Sequence, residues 1–297
     1  NTGWVAAQLA RTAGVQVRDV GYSGQKDRYA LTRQPYSLPW PVSAPLDACR
    51  AFAGEGYRVL SAARHGRKLR PGSHRGNRFA IRVRDVYGDA AAIEARLRVI
   101  GDAGVPNYFG PQRFGRDGGN LARARAWSDG GDAPRDRIRR GFALSAARSD
   151  LFNRVLDQRV RRGDWSRLLP GEAVMLDGRR SFFAAPEVDA ALEDRCRRMD
   201  VHPSGPLWGR GDSPATGAAR DVEDAVLGRA PGLARLLESE RLDQERRSLR
   251  LPVRSLRWTQ EGDALLAEFE LPRGTFATAV LHELLRDAWG KDAGGED

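Results

Sequence analysis

Cysteine is nearly absent from this 297-residue chain: Cys49 and Cys196 lie far apart, which excludes a disulfide framework. Histidine is as sparse, with four residues scattered at no metal-ligand spacing, so no zinc site is expected and no cofactor motif replaces it. No apolar run approaches the roughly 18 residues that a membrane helix needs. The expectation is a soluble, cytoplasmic protein with reduced thiols, no metal and no membrane partner. The common nucleotide and acyl-transfer motifs are missing too. GYSGQKD has neither the spacing nor the hydroxyl of G-x-x-x-x-G-K-[ST], no G-x-G-x-x-G joins a strand to a helix, and no G-x-S-x-G is present. Kinase, dehydrogenase and esterase chemistry are disfavoured.

What the chain does have is a core-forming composition and positive charge. A hydrophobic fraction of 41%, with seven Trp and ten Phe, argues for a folded protein rather than a disordered one. Its length suggests two domains. The net charge of +10 favours a polyanionic partner, of which nucleic acid is the commonest for a soluble protein. Its basic side chains are nearly all arginine, with lysine only at 26, 68 and 291. Arg, Ala and Gly enrichment is also what a GC-rich genome produces, so composition alone leaves the partner open.

Along the chain, Thr2 reads as the cap of a helix over Trp4–Ala13 that stops at Gly14. Extended stretches are expected at Arg18–Tyr22 and Leu31–Leu38, a helix at 47–53 and a strand at Tyr57–Ala63. Residues 64–78, RHGRKLRPGSHRGNR, are free of acids and punctuated by Gly and Pro. They lead into a strand where Phe79, Ile81 and Val83 alternate with arginines. Such a run is often only a solvated face, but its setting suits a loop that contacts phosphates through Arg64, Arg67, Lys68, Arg70, Arg75 and Arg78.

Helical spacing places a helix from Asp89 through Ile100 and another over Leu144–Val160. Between them lies the irregular, aromatic segment VPNYFGPQRFG at 105–115, in which Arg113 could reach a phosphate. Residues 203–220 read as a loop, 230–248 as helical, Leu265–Leu271 as a strand, and Gly274–Thr275 as the start of a helix carrying Phe276, Val280, Leu281 and Leu284. Strands cluster at 15–90 and 250–272, which suits a sheet domain built from both ends of the chain.

In the stretch GYSGQKDRYALTRQ, residues 21–34, Asp27 stands between Lys26 and Arg28. Flanking cations favour its ionised form, and an ionised carboxylate is a competent nucleophile but a poor acid. The bland alternative is an aspartate paired with its neighbours on a surface turn.

Five motifs change that balance. G-x-K-D-R-x-A-x-T-x-Q at 24–34, K-L-R-x-G-x-x-x-G-N-x-F at 68–79, N-Y-F-G-x-Q-R-F-G at 107–115, S-A-x-R-S-x-L-F-N at 145–153 and L-P-x-G-[ST]-F-A-T at 271–278 together resemble the TruD family of tRNA pseudouridine synthases. The resemblance runs through the whole chain in the family's order.

It implies an α+β protein: a V-shaped pair formed by a pseudouridine-synthase-type domain with a mixed, mainly antiparallel sheet (1–101 and 251–297) and an inserted α/β domain (102–250). The implied activity is isomerisation of uridine-13 in the D arm of tRNA to pseudouridine, with no cofactor and with tRNA as partner. A monomer with no obligate protein partner is expected. The catalytic aspartate falls on Asp27. Asn77 and Phe276 take positions that contact the target nucleotide, Phe79 lies near the same site, and Gln25, Lys26 and Arg28 flank it. Breaking a glycosidic bond develops positive charge on the sugar, which a carboxylate can stabilise or capture. One carboxylate attacking the sugar carbon, adding to C6 of the base or assisting elimination would each serve.

The family also has an upstream segment with a base-contacting phenylalanine and a lysine, and this chain is expected to be a fragment that begins after it. A non-catalytic RNA-binding protein on the same scaffold is the alternative reading. Both readings predict that tRNA affinity falls steeply with ionic strength; affinity indifferent to salt would contradict the basic-loop assignment.

Overall fold

The computed structural model describes residues 1–285. Contacts divide the chain into two compact units, 1–77 and 78–297. Secondary structure is mixed helix and small antiparallel sheets, so the fold is α+β.

The first unit begins with the helix Thr2–Ala13. Its cap is Asn1 rather than Thr2: the Asn1 side chain accepts from Trp4 N at 2.9 Å. Asn ranks with the best N-caps and Thr below it, so the start moves back one residue and Thr2 enters the helix. Gly14 closes the helix at φ 67°, the left-handed conformation that favours glycine. Ala6 and Ala10 on the helix pack with Val20 to form the small core of this unit, with Tyr22, Tyr36 and Leu38 against it.

The remaining expected strands are shorter than their sequence pattern suggests. Gly21–Tyr22 pairs antiparallel with Tyr36–Ser37, and Val17–Asp19 is a 3₁₀ turn. Ala53–Gly54 pairs with Tyr57–Arg58 as a tight hairpin, and the helix near 47–53 is a single turn, Asp47–Arg50. Residues 23–35 therefore form a loop bounded by one short pair of strands.

In the second unit the strand Gly76–Val83, on which the boundary falls, joins Arg254–Glu261 and Ala264–Pro272 in a three-stranded sheet with Ala264–Pro272 at its centre. The helices Ala90–Ala103 and Ala277–Leu284 cover it through Leu97, Ile100, Val280 and Leu284, which pack on Leu265, Phe269 and Leu271. Phe79 lies in this packing, its ring stacked on Phe269 with centroids 5.5 Å apart.

Residues 102–250 centre on the 25-residue helix Arg137–Arg161, whose Ala143, Ala147 and Leu151 pack against Leu233 and Leu237 of Pro231–Ser239. Two expectations are corrected here. Residues 203–220 contain the strand Ser204–Leu207, and the helical reading of 230–248 ends at Ser239, beyond which Glu245–Ser248 pairs with that strand. Pro and Gly in SGPL signalled a loop. Gly205 is needed because a Cβ there would sit 3.1 Å from the Phe152 ring and 2.9 Å from Leu249.

Several buried charged groups in this unit are paired. Arg159, 2% exposed, reaches the fully buried Glu172 at 3.0 Å and Asp164 at 2.7 Å. His202 bonds Asp177 at 2.9 Å, and Asp177 also takes Arg254 at 2.6 Å. Burial, opposed by the bond to Asp177, pushes the His202 imidazole below its ordinary value. Burial works against ionised Asp177, but the His202 bond and the Arg254 charge outweigh it and hold the carboxyl below its usual range. The unfolded chain takes up a proton near the ordinary histidine value of about 6.5, and the folded imidazole resists it. His202 thus contributes stability that is complete above that pH and is lost as pH falls below it. Thermal unfolding from pH 8 to 5 should show the midpoint falling by roughly 2–4 °C per kcal/mol lost, and His202→Gln should flatten that part of the profile.

Candidate active site

Asp27 is exposed in the loop between the paired strands Gly21–Tyr22 and Tyr36–Ser37. Its carboxylate makes no hydrogen bond or ion pair among the described residues, although cations stand on both sides of it in sequence. The reason lies in what those cations do. The Lys26 ammonium donates to Asn77 Oδ1, and the Arg28 guanidinium lies over the Tyr29 ring, 5.6 Å from its centroid. Neither is spent on Asp27, so the surface-turn ion pair does not form.

Two further contacts hold the loop. Thr2, 3% exposed, accepts the Lys26 backbone N–H through Oγ1 at 2.8 Å, which fixes the residue next to Asp27 to the first turn of the helix. Ser23 and Ser73 share a hydroxyl bond of 2.8 Å. The carbonyl of Ser23 accepts from Gly72 N at 2.7 Å and lies 3.1 Å from His74 Nδ1. The segment 21–26 is thereby laid against the basic loop. Gly21 permits that approach, since a Cβ there would stand 2.4 Å from the Leu69 carbonyl oxygen.

The basic loop divides into two kinds of residue. Arg64 donates to the carbonyls of Pro41, Val42 and Ala44 at 3.2, 2.6 and 2.8 Å, and Lys68 donates to the carbonyl of Arg18. These two hold the loop in place. Arg67, Arg70 and Arg75 are exposed, and their side chains make no hydrogen bond or ion pair among the described residues. In the first unit, then, the structure holds an unpaired carboxylate on one loop, three available guanidiniums on a second loop bonded to it, and an oriented carboxamide near the start of the strand that follows.

Asn77 accepts from a cation, so its oxygen is the atom facing Lys26, and its amide N–H groups keep no partner among the described residues. Gln25 is exposed and reaches the Tyr22 hydroxyl at 3.5 Å. The other expected site residues belong to the second unit. Phe79 is half-buried on the sheet, and Phe276, 40% exposed, stands before the helix Ala277–Leu284 rather than in it as expected, because its backbone is extended (φ −123°, ψ 134°) and it serves as the N-cap. Arg78 pairs with Glu270 at 2.7 Å, and Arg113 donates to Ser145 Oγ at 3.0 Å. Among the described residues no cluster of three metal-ligating side chains occurs, and no helix is long and apolar enough to cross a membrane. Thr2, Ser23 and Ser73 are the positioning residues that the sequence did not reveal. Thr2 carried a signal, but it was that of a helix cap.

The comparisons with known proteins bear on these loops. The family model for tRNA pseudouridine synthase D (TruD) matches residues 1–122 and 133–284. A tRNA pseudouridine synthase D of Nitrosococcus oceani is 49% identical over 96% of this chain and 80% of its own length. One from Pseudomonas fluorescens is 44% identical over 96% of this chain and 81% of its own. In fold, the crystal structure of a candidate tRNA pseudouridine synthase D from Methanosarcina mazei is similar with a TM-score of 0.71. That likeness covers 96% of this chain and 85% of that one at 18% identity.

Replacing Thr2 with valine keeps the shape and removes the acceptor for Lys26 N–H. The loop should loosen by about 1 kcal/mol, and trypsin should cut Thr2→Val after Lys26, Arg28 or Arg33 several-fold faster than the unmutated protein. Equal cleavage rates would show that the threonine does not restrain the loop.

Proposed function

The chain belongs to the TruD family of tRNA pseudouridine synthases, and from that premise we propose that it converts uridine-13 in the D arm of tRNA to pseudouridine with Asp27 as the catalytic nucleophile. The observation that carries the proposal is the unpaired state of the Asp27 carboxylate between Lys26, which is bonded to Asn77, and Arg28, which lies over the Tyr29 ring. A nucleophile must keep its lone pairs available, whereas a structural aspartate uses them.

In the proposed reaction the bond between uracil N1 and the sugar breaks, the base turns in place, and its C5 joins the same sugar carbon; the proton on C5 leaves and N1 takes one up, so the product is an isomer of the substrate. Nothing is consumed, and one carboxylate suffices because the leaving group is retained. Asp27 counters or captures the positive charge that develops at the sugar. A stacked uridine has to be turned out of the RNA before Asp27 can reach it. Asn77 is oriented by Lys26 to offer its N–H groups to a uracil carbonyl, and Phe276 and Phe79 supply aromatic surface for the base. Gln25 and Arg28 flank the nucleotide, and Arg67, Arg70 and Arg75 take backbone phosphates. The proposed organisation is a catalytic domain of 1–101 and 251–297 with 102–250 inserted.

The test is tRNA incubated with the protein and with Asp27→Asn, followed by mapping of pseudouridine and measurement of binding. Modification by the variant should fall at least about 1,000-fold, with affinity kept or slightly raised by loss of a negative charge. Equal modification by both proteins would sink the role of Asp27. Tight binding with no modification by either would favour the non-catalytic reading.

A further inference from the structure

The segment 105–115 contributes no group to the proposed chemistry, yet it builds an unusual cationic site inside the second unit. Asn107 is buried, bonding the carbonyl of Ser248 through Nδ2 at 2.8 Å and accepting from Arg247 through Oδ1 at 2.6 Å. Phe109 is fixed by Asn153, whose carboxamide accepts from Phe109 N and donates to Phe109 O, both at 2.9 Å. Two guanidiniums lie over the ring of Phe109: Arg247 at 4.1 Å from its centroid and Arg113 at 5.1 Å.

The fully buried arginines of this unit differ. Arg159 has Glu172 and Asp164, and Arg246 has Glu223 at 2.7 Å. Arg250 has no carboxylate in contact, but its guanidinium is filled by His202 Nδ1 and the carbonyls of Cys196 and Val201. Among the described residues the Arg247 guanidinium has one hydrogen-bond partner, the neutral oxygen of Asn107, and its buried Nε–H has none. The Arg113 guanidinium likewise bonds only the Ser145 hydroxyl among the described residues. Two like charges thus share one aromatic ring, and no carboxylate among the described residues pairs with either. Burial, and then the charge of Arg113, push Arg247 down to about 10. That arrangement is costly for an empty fold, and a bound anion would relieve it. The adjacent cavity, lined by Phe109, Phe114, Asp117 and Asp150, carries carboxylates and neither arginine, so it is not where an anion would settle.

We propose that Arg113 and Arg247, held over Phe109, form an anion site that takes a phosphodiester of the RNA substrate. Planar guanidiniums with unused N–H donors suit phosphate oxygens, and the aromatic face holds them in place without neutralising them. Each arginine is only partly buried, which leaves a route for the anion. The assignment rests on the proposed RNA substrate, whereas its inorganic form does not.

The experiment follows the arginine Nε–Hε resonances of the ¹⁵N-labelled chain. The Arg247 signal is the one missing from Arg247→Lys. Inorganic phosphate should shift it saturably, and Arg113→Gln should weaken that response about 10-fold. Should Arg247→Lys fail to fold, Arg113→Gln still tests the site, because it should lower the salt slope of tRNA binding by about one. Transfer RNA should perturb the same signal. No response to phosphate overturns the site. A response to phosphate without one to tRNA reduces it to an adventitious ion only, which overturns the RNA assignment. Pseudouridine formation is measured in parallel with the unmutated protein. Modification without any Arg247 response would defeat this site and leave the enzymatic reading standing. A response to tRNA without modification would support the site and defeat the reading.

Discussion

The hydrogen bond from Lys26 to Asn77 governs what the Asp27 loop can do. In an exposed K-D-R sequence the cheapest local arrangement is an ion pair between neighbours, and such pairs are individually weak. A carboxamide oxygen that captures the ammonium, with Thr2 holding the same residue's backbone, is enough to redirect it. The carboxylate is then left facing solvent with its lone pairs unspent. The same contact orients Asn77, so that one bond sets the state of two of the proposed site groups.

Arginine does three different jobs in this chain, and the partners distinguish them. Arg159 and Arg246 are buried against carboxylates, where removing one partner would strand the other charge, so they hold the fold of the second unit. Arg64 spends its donors on three backbone carbonyls and works as a clasp for an otherwise irregular loop. Arg67, Arg70 and Arg75 spend theirs on nothing in the described chain. A net charge of +10 therefore overstates the surface offered to an anion wherever a guanidinium is already bonded within the chain.

Long amphipathic elements were legible in the sequence. The helix Arg137–Arg161 repeats apolar residues at helical spacing, and Ala264–Pro272 alternates as a strand does. Two-residue strands such as Gly21–Tyr22 contain no period to read. Glu245–Ser248 was misread because its inward-facing residue, Arg246, is itself charged, so the buried side of the strand carries no apolar mark. Asp27 and Asn77 could be nominated only through the order of five motifs. Their local residue types suit a turn as well as a catalytic loop.

Sequence alone determined the family, the absence of a phosphate-loop or hydrolase motif, and the identity of the carboxylate on which the chemistry is proposed to turn. Tertiary structure decided which charges are available. Lys26 meets a partner 51 residues away, Lys26 N meets Thr2 24 residues away, and Arg247 meets Asn107 140 residues away. A side chain's charge is written in the sequence, but whether that charge is already satisfied depends on groups that only folding brings within hydrogen-bonding distance.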